Sequence, residues 1–150
     1  MGRKSKTPPD REKFVKMLRE RGMRATAQRL AVHDAMMELV HASADMVSAN
    51  IEERSACKVT TASVYNILSQ LSDAGIYARR YSSNGKMYFD ILTYPHLHLY
   101  DTRNNEFKDI PDEELVRLVE DHLKNRKIRG YRLDGFDLQL VCHPTRRKLK

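Results

Sequence analysis

The feature that most constrains the fold is a change of hydrophobic period between residues 60 and 92. In the first part of this segment, apolar side chains recur at i, i+3, i+4 and i+7: Val64, Ile67, Leu68 and Leu71. This spacing puts all four on one face of a helix, which we expect to begin at Thr60 or Thr61 and to end at Gly75.

The second part of the segment has the character of a hairpin. Two strand-like runs, Ile76–Tyr81 and Lys86–Leu92, flank the tetrapeptide 82–85, which ends in Asn84-Gly85. Asn-Gly between two such runs predicts a β-hairpin in which both turn residues have positive φ.

Three more helices are predicted upstream, at Asp10–Arg21, from Thr26 to about Val40, and from Ser43 to about Arg54. Ser and Thr are favourable N-caps, and Gly22 provides a stop for the first helix. Three or four helices followed by a two-stranded ribbon indicate a winged helix-turn-helix domain.

The remainder of the chain predicts a second domain after a hinge at 93–95. We expect strands at His96–Tyr100 and Glu106–Ile110, a helix from about Asp112 to Lys127, and a last strand at Tyr131–Val141, in which Phe136, Leu138 and Leu140 share one face. Such a ββαβ unit has exposed edges and is marginal alone, so we expect it to pair with a second copy.

The expected fold class is therefore α+β. It comprises a winged-helix DNA-binding domain at 1–92, a hinge at 93–95, and a small ββαβ dimerisation domain at 96–150 that ends in a basic tail.

Composition narrows the classes of function. The chain has 27 Lys and Arg against 20 Asp and Glu, a net charge of +7, and ten of these basic residues lie in the first 30 residues. Basic ends predict contacts with phosphate. For Arg3, Lys4, Lys6 and the C-terminal cluster (Arg146, Arg147, Lys148 and Lys150), the alternative is a solvated tail.

No apolar run approaches membrane-spanning length, the N-terminus is too polar for a signal peptide, and two cysteines cannot build a disulfide framework. We expect a cytoplasmic protein with no membrane partner.

The helix after Thr60 has the character of a DNA-reading helix. Opposite its apolar stripe, or at the margin, lie short polar side chains and one aromatic: Thr61, Ala62, Ser63, Tyr65, Asn66 and Ser69. Small side chains permit close approach to the major groove, where Asn can pair with adenine. An ordinary solvent-facing helix is the alternative, but the basic N-terminal region and the hairpin favour DNA binding.

A group of His and Asp residues predicts a metal site. His96 and His98 alternate on one strand and so face the same side, Asp109 lies on the strand paired to it, and Asp90 and His41 come from the first domain. These donors suit Fe(II), Mn(II) or Zn(II), and the carboxylates favour the first two. The alternative for His96 and His98 is a pair of surface imidazoles. We interpret the other histidines, His33, His122 and His143, as structural or surface residues.

These residues together resemble the Fur family of metal-dependent repressors, over about Phe14 to Val141. The resemblance rests on four motifs: Gly22-Met23-Arg24-Ala25-Thr26-Ala27-Gln28-Arg29, Ala62-Ser63-Val64-Tyr65-Asn66 followed by Leu68, Leu71 and Gly75, Tyr88-Phe89-Asp90, and His96-x-His98. It implies a homodimer that binds a palindromic operator in double-stranded DNA when metal is bound. It also implies that the regulatory metal lies at His41, Asp90, His96, His98 and Asp109. We expect DNA contacts from Arg24, Thr26, Gln28, Arg29, Thr61, Ser63, Tyr65, Asn66 and Lys86.

Departures from the family pattern narrow the subfamily. Most members carry two Cys-x-x-Cys pairs for a structural zinc, but Asp101 and Asn104 stand at the first pair and only Cys142 is near the second, so no structural zinc is expected. In many members a second metal site uses the residue just before the histidine pair and the residue between the two histidines. Here these residues are Pro95 and Leu97, which cannot bind a metal. The same two residues also remove the run of three histidines that Irr-type members carry. Asp109 stands where iron sensors usually have Glu and PerR-type peroxide sensors usually have Asp. The match is therefore closest to PerR-like members without structural zinc, with Irr-like members next.

The sequence thus predicts a transcriptional repressor, not an enzyme. Bound Fe(II) or Mn(II) would order a hinge so that two winged helices meet two half-sites in register, with Zn(II) a further occupant in vitro. With Fe(II), the resemblance implies that peroxide oxidises His41 or His96 and releases DNA. One alternative is a sensor of iron or manganese availability without peroxide chemistry. An architectural DNA-binding protein and a non-haem iron enzyme are remoter alternatives.

Overall fold

The computed structural model describes residues 7–54 and 56–146, which form two compact units. The first unit extends to Tyr94 and the second begins at Pro95. The basic residues Arg3, Lys4, Lys6, Arg147, Lys148 and Lys150 lie outside the described residues. The assignment of 1–92, 93–95 and 96–150 to DNA binding, hinge and dimerisation remains a prediction.

The first unit begins with four helices: α1 (Arg11–Glu20), α2 (Ala27–Leu39), α3 (Ala44–Arg54) and α4 (Thr61–Asp73). The predicted N-caps are confirmed. Thr26 Oγ1 accepts the Arg29 amide at 3.2 Å, and Thr60 and Ser63 form a reciprocal capping box at the start of α4. These side chains satisfy amide groups that the first helical turn leaves without partners.

The core of the first unit is built from one face of each helix. The predicted stripe of α4 (Val64, Ile67, Leu68 and Leu71) is buried, and it belongs to the same cluster as Phe14 and Leu18 of α1. A helix this short is stable mainly through such packing, so burial of the stripe fixes which face of α4 remains exposed.

A three-stranded antiparallel sheet completes the first unit: β1 (His41–Ala42), β2 (Ala78–Tyr81) and β3 (Met87–Asp90), in the order β1-β3-β2. The β2–β3 hairpin confirms the predicted ribbon, although its strands are shorter than expected. The short β1 was not predicted.

The predicted turn geometry is wrong. Gly85 has a φ of +79°, whereas Asn84 is not among the described residues with positive φ. The loop spans 82–86, with the Gly85 amide donating to the Ser82 carbonyl and Lys86 to the Asn84 side chain. This longer loop needs a left-handed residue only at its last turn position, which glycine supplies.

The second unit contains β4 (Leu97–Asp101), β5 (Glu106–Ile110), α5 (Glu113–Leu123) and β6 (Leu138–Cys142). The sheet order is β5-β4-β6, with β4 antiparallel to β5 and parallel to β6. This confirms the predicted ββαβ order and the α+β fold class.

Two boundaries in the second unit differ from the prediction. The helix α5 ends at Leu123 rather than Lys127, and the last strand begins at Leu138 rather than Tyr131. Phe136 therefore lies before the strand, and within the strand Leu138 is half-buried whereas Leu140 is 47% exposed. Tyr131 instead turns back to form an isolated bridge with Ile128 around Gly130, whose φ is +86°. The residues that follow, Arg132, Leu133 and Asp134, are exposed, so pairing with β4 begins only at Leu138. Within the described ranges, no helix has the length and apolar character needed to cross a membrane.

Candidate metal centre and nucleic-acid interface

The first unit brings two predicted ligands together, His41 and Asp90. Val40, with a φ of +64°, ends α2 and turns the chain into β1, where His41 pairs directly with Asp90 of β3. The imidazole Nε2 lies 3.3 Å from Asp90 Oδ2, and both side chains are buried. The role of β1 is thus to place one imidazole beside the carboxylate at the end of the wing.

A third buried group, Arg80, contacts the same carboxylate. Arg80 lies on β2 opposite Tyr88 and so diagonal to Asp90, which is within reach of a long side chain. Its Nη2 lies 2.9 Å from Asp90 Oδ2, and the two side chains are 6% and 0% exposed. The Leu92 amide donates to the other oxygen, Oδ1, at 2.8 Å.

Sequence reasoning missed Arg80. The available signal was strand parity, because Arg80 falls on the same side of the predicted strand as Ile76, which is buried. A cation on a buried face requires an anionic partner nearby.

The second unit brings three predicted ligands together. His96 precedes β4, His98 lies within it, and Asp109 of β5 pairs directly with His98. Asp109 Oδ1 is 3.1 Å from His96 Nε2 and 3.4 Å from His98 Nε2, and the two imidazole centroids are 4.1 Å apart. The predicted alternation along the strand therefore does place both rings against one carboxylate.

A further carboxylate approaches His98 from the other side. Asp137 Oδ1 lies 3.5 Å from His98 Nδ1, just before β6. A carboxylate behind a ligating imidazole fixes its orientation and leaves the other nitrogen directed toward a metal. Asp137 was also missed, since nothing in the sequence indicated that the segment before β6 lies beside β4.

The donor geometry within each unit fits a metal ion. Two ligands bound at about 2.1 Å with an angle between 90° and 109° are about 3.0–3.4 Å apart, and the His–carboxylate distances in both units fall between 3.1 and 3.4 Å. One unit offers an imidazole and a carboxylate, and the other two imidazoles and a carboxylate. Neither set alone fills the five or six positions that Fe(II) or Mn(II) commonly takes.

The predicted reading helix presents its polar face to solvent. On α4, Thr61, Tyr65 and Asn66 are exposed. Tyr65 is 43% exposed and packs edge-on against Phe89 at 6.1 Å. The exposed Lys86 of the wing lies 3.6 Å from Asp45 at the start of α3. A concavity of about 340 Å³ lies between α4, the start of α3 and the β2–β3 hairpin. It is lined by Ser43, Ala44, Asp45, Thr61, Ala62, Tyr65, Asn66, Lys86 and Met87.

The other predicted DNA-binding residues make contacts within the first unit. Thr26 and Ser63 serve as caps. Arg29 donates to the Arg24 carbonyl at 2.8 Å and to Gln70 Oε1 at 3.2 Å, and Gln28 donates to the Lys58 carbonyl at 3.5 Å. Arg24 is exposed. Contacts of these residues with DNA remain a prediction.

The turn at 101–104 is held by hydrogen bonds. Asp101 accepts the backbone amides of Arg103 and Asn104 and the Asn104 side-chain amide at 2.7–3.1 Å. The Asn104 side chain, more than the other contacts, lowers the pKa of Asp101. Thr102 donates from its amide and its hydroxyl to the Cys142 carbonyl at 2.8 and 3.1 Å, which ties the turn to β6.

His33 is structural, as interpreted from the sequence. Its ring is fully buried and stacks on Phe14 with centroids 4.0 Å apart. One nitrogen contacts the Tyr77 hydroxyl and the other the Pro9 carbonyl, both at 2.7 Å. Burial lowers the pKa of His33 and raises that of Tyr77.

A family profile decides the relationship. The profile of the ferric uptake regulator family matches residues 20–139, which cover most of both units and all five candidate ligands. The chain belongs to the ferric uptake regulator (Fur) family. Members of this family are transcription regulators. No curated protein sequence matches the chain significantly.

Solved structures of the family share the fold. The Pseudomonas aeruginosa ferric uptake regulator with manganese has a TM-score of 0.68 at 24% identity, covering 87% of this chain and 97% of that one. The Vibrio cholerae ferric uptake regulator gives 0.71 at 22%, covering 87% and 99%. The Campylobacter jejuni peroxide stress regulator gives 0.64 at 22%, covering 89% and 97%. These similarities extend over nearly the whole length of each relative.

Proposed function

We propose that this Fur-family protein is a metal-dependent repressor in which one Fe(II) or Mn(II) ion is bound by His41, Asp90, His96, His98 and Asp109. The observation that carries the proposal is that each unit presents an incomplete set of donors at metal-ligand spacing. A single ion that takes ligands from both units satisfies both sets. The P. aeruginosa relative solved with manganese supports this choice of metal.

The metal would act on DNA binding through the junction between the units. His41 and Asp90 belong to the unit that carries α4, whereas the other three ligands follow Tyr94. An ion held by both would restrict their relative motion and lower the entropic cost of binding DNA. In a homodimer, two α4 helices would then meet the half-sites of a palindromic operator in register.

DNA recognition is proposed to centre on Tyr65 and Asn66, which are exposed on α4. Tyr65→Phe and Asn66→Ala should each weaken binding to the operator by about 1–3 kcal/mol, typical of a base contact, and change non-specific binding little. Lys86→Gln should weaken binding to all sequences alike. If all three variants weakened binding to the operator and to non-specific DNA by the same factor, the assignment of α4 as the reading helix would be contradicted.

We further propose that the protein senses peroxide, with Asp109 as the feature that distinguishes it from simple iron sensors. Bound Fe(II) would supply the reactivity toward peroxide. Peroxide would transfer one oxygen atom to a ring carbon of His41 or His96 and leave as water, a two-electron oxidation of the imidazole. Loss of that ligand would release the metal and the DNA.

The experiment begins with anaerobic metal analysis and operator binding of wild type and His98→Ala. The variant should remain a folded dimer but lose metal-dependent DNA binding, because His98 contributes a ligand, whereas the backbone pairing that holds β4 between β5 and β6 does not use its side chain. His122→Ala, which removes an exposed imidazole from α5, is the matched control and should bind as wild type does. An unfolded or monomeric His98→Ala protein would indicate a structural site instead.

Peroxide treatment then separates the two sensor functions. In the Fe(II) form, low peroxide should abolish DNA binding, add 16 Da to a peptide that contains His41 or His96, and resist reversal by thiols. The Mn(II) form should remain active. The second candidate, a sensor of iron or manganese availability, is favoured by the ferric uptake regulators among the relatives. Equal sensitivity of the Fe(II) and Mn(II) forms, or oxidation confined to Cys57 or Cys142, would select it.

A further inference from the structure

We propose that Arg80 is a built-in competitor of the regulatory metal, so that it sets how much metal is needed to activate the protein. The proposal rests on the function proposed above, in which Asp90 is a ligand, and it adds a residue that lies outside that ligand set. Arg80 acts through Asp90 and is therefore a positioning and tuning residue rather than a ligand.

The geometry shows that Arg80 and a metal would use the same oxygen atom. Asp90 Oδ1 accepts the Leu92 amide, so Oδ2 is the oxygen that faces His41, at 3.3 Å from its Nε2. Arg80 Nη2 donates to this same Oδ2 at 2.9 Å. An ion bound between His41 and Asp90 would therefore share Oδ2 with a guanidinium group.

The charge of Arg80 opposes the metal rather than assisting it. A guanidinium remains protonated at all physiological pH values. At this site it is buried with Asp90, so water screens it little. It withdraws electron density from Oδ2 and repels a divalent cation at close range. The Leu92 amide orients the carboxylate without bringing a net charge, and Asp90 therefore does not need Arg80 for its orientation.

The direction in which Mn(II) affinity changes when Arg80 is removed distinguishes a competitor of the metal from a residue that supports a metal ligand. Removal of a group that orients a metal ligand typically weakens metal binding by about 10–100-fold. Removal of a competitor should have the opposite effect. We expect Arg80→Gln to tighten binding of Mn(II) by on the order of tenfold, because the repulsion between a buried guanidinium and a divalent cation a few ångströms away is several times the thermal energy.

The same competition should be visible in the thermal stability of the protein with and without metal. In the metal-free protein Arg80 is a partner of a fully buried carboxylate, and removing one member of a buried ion pair destabilises the fold. The melting temperature of metal-free Arg80→Gln should therefore lie below that of wild type. Mn(II) should then raise it by more degrees than it raises the wild-type value.

The test is Mn(II) titration by calorimetry at pH 7.5, together with melting curves with and without Mn(II). The matched control is Arg79→Gln, the same change at the preceding residue, where the side chain is 35% exposed and pairs with Asp73. This control should bind Mn(II) as wild type does. Arg80→Lys retains a cationic side chain that can reach Asp90, so its Mn(II) affinity should lie closer to that of wild type than to that of Arg80→Gln.

Each outcome decides a separate point. Unchanged Mn(II) binding by Arg80→Gln would overturn the proposal. Weaker binding by Arg80→Gln, or by Arg80→Lys if the first variant does not fold without metal, would overturn it and make Arg80 a support for Asp90. If Arg79→Gln tightened Mn(II) binding as much as Arg80→Gln does, the effect would come from the lower net positive charge of the protein rather than from the contact of Arg80 with Asp90. Asp90→Asn should bind Mn(II) at least tenfold more weakly. If it binds normally, the proposed ligand set fails, whatever the Arg80 variants show.

Discussion

Lowering the pH from 7.5 to 5.5 should destabilise the first unit through one buried side chain, His33. In the folded protein the ring is fully buried, stacks on Phe14, and contacts Tyr77 and Pro9 through its two nitrogens. Burial lowers the pKa of His33 below its usual 6.5, which means that the unfolded chain takes up a proton more readily than the folded one.

The direction and size of the effect follow from proton linkage. Well above pH 6.5 both states are neutral at this position and the stability does not depend on pH through His33. Below 6.5 the unfolded state binds the proton first, so stability falls as pH falls until the lowered folded pKa is reached. For a site that stays neutral over the whole range, the loss between pH 7.5 and 5.5 is at most about 1.4 kcal/mol.

Urea unfolding followed by circular dichroism at both pH values measures this loss. His33→Gln cannot titrate, so its stability should change by up to about 1.4 kcal/mol less than that of wild type over the same interval. The comparison of two proteins cancels the contribution of the other histidines. His122→Gln, an exposed imidazole, should behave as wild type does. An equal pH dependence in His33→Gln and wild type would refute the argument.

Three more predictions concern packing, backbone and metal. Leu68→Ala removes a fully buried side chain from the core and should lower the free energy of unfolding by about 2–5 kcal/mol in urea; a loss below about 1 kcal/mol would mean that the core of the first unit is not packed as described. Gly85→Ala should cost about 1 kcal/mol through backbone strain alone, because φ is +79° and the added methyl meets no neighbouring atom. Asp137→Ala should weaken Mn(II) binding by about 10–100-fold, since His98 Nδ1 loses its carboxylate; unchanged affinity would show that Asp137 does not orient His98.

Local signals in the sequence were sufficient for the elements that their own residues stabilise. The stripe from Val64 to Leu71 and the caps at Thr26 and Thr60 act within a few residues of each other, and the helices begin where these residues predict. The hairpin was predicted correctly, but its turn type was predicted wrongly. Asn-Gly is compatible with a two-residue or a longer loop, and the strand register, which depends on packing, selects between them.

The sequence by itself determined the α+β fold class, the four N-terminal helices, and the histidine pair that meets Asp109. Helical periodicity, strand alternation and the pairing of two strands joined by a short turn are all local properties. The tertiary structure alone decided the contacts that join distant residues. The short β1 beside Asp90, the placement of Asp137 behind His98, and the burial of Arg80 against Asp90 all depend on strand order in the sheets. Strand order carries no local signature, since it results from the packing of whole faces against the core.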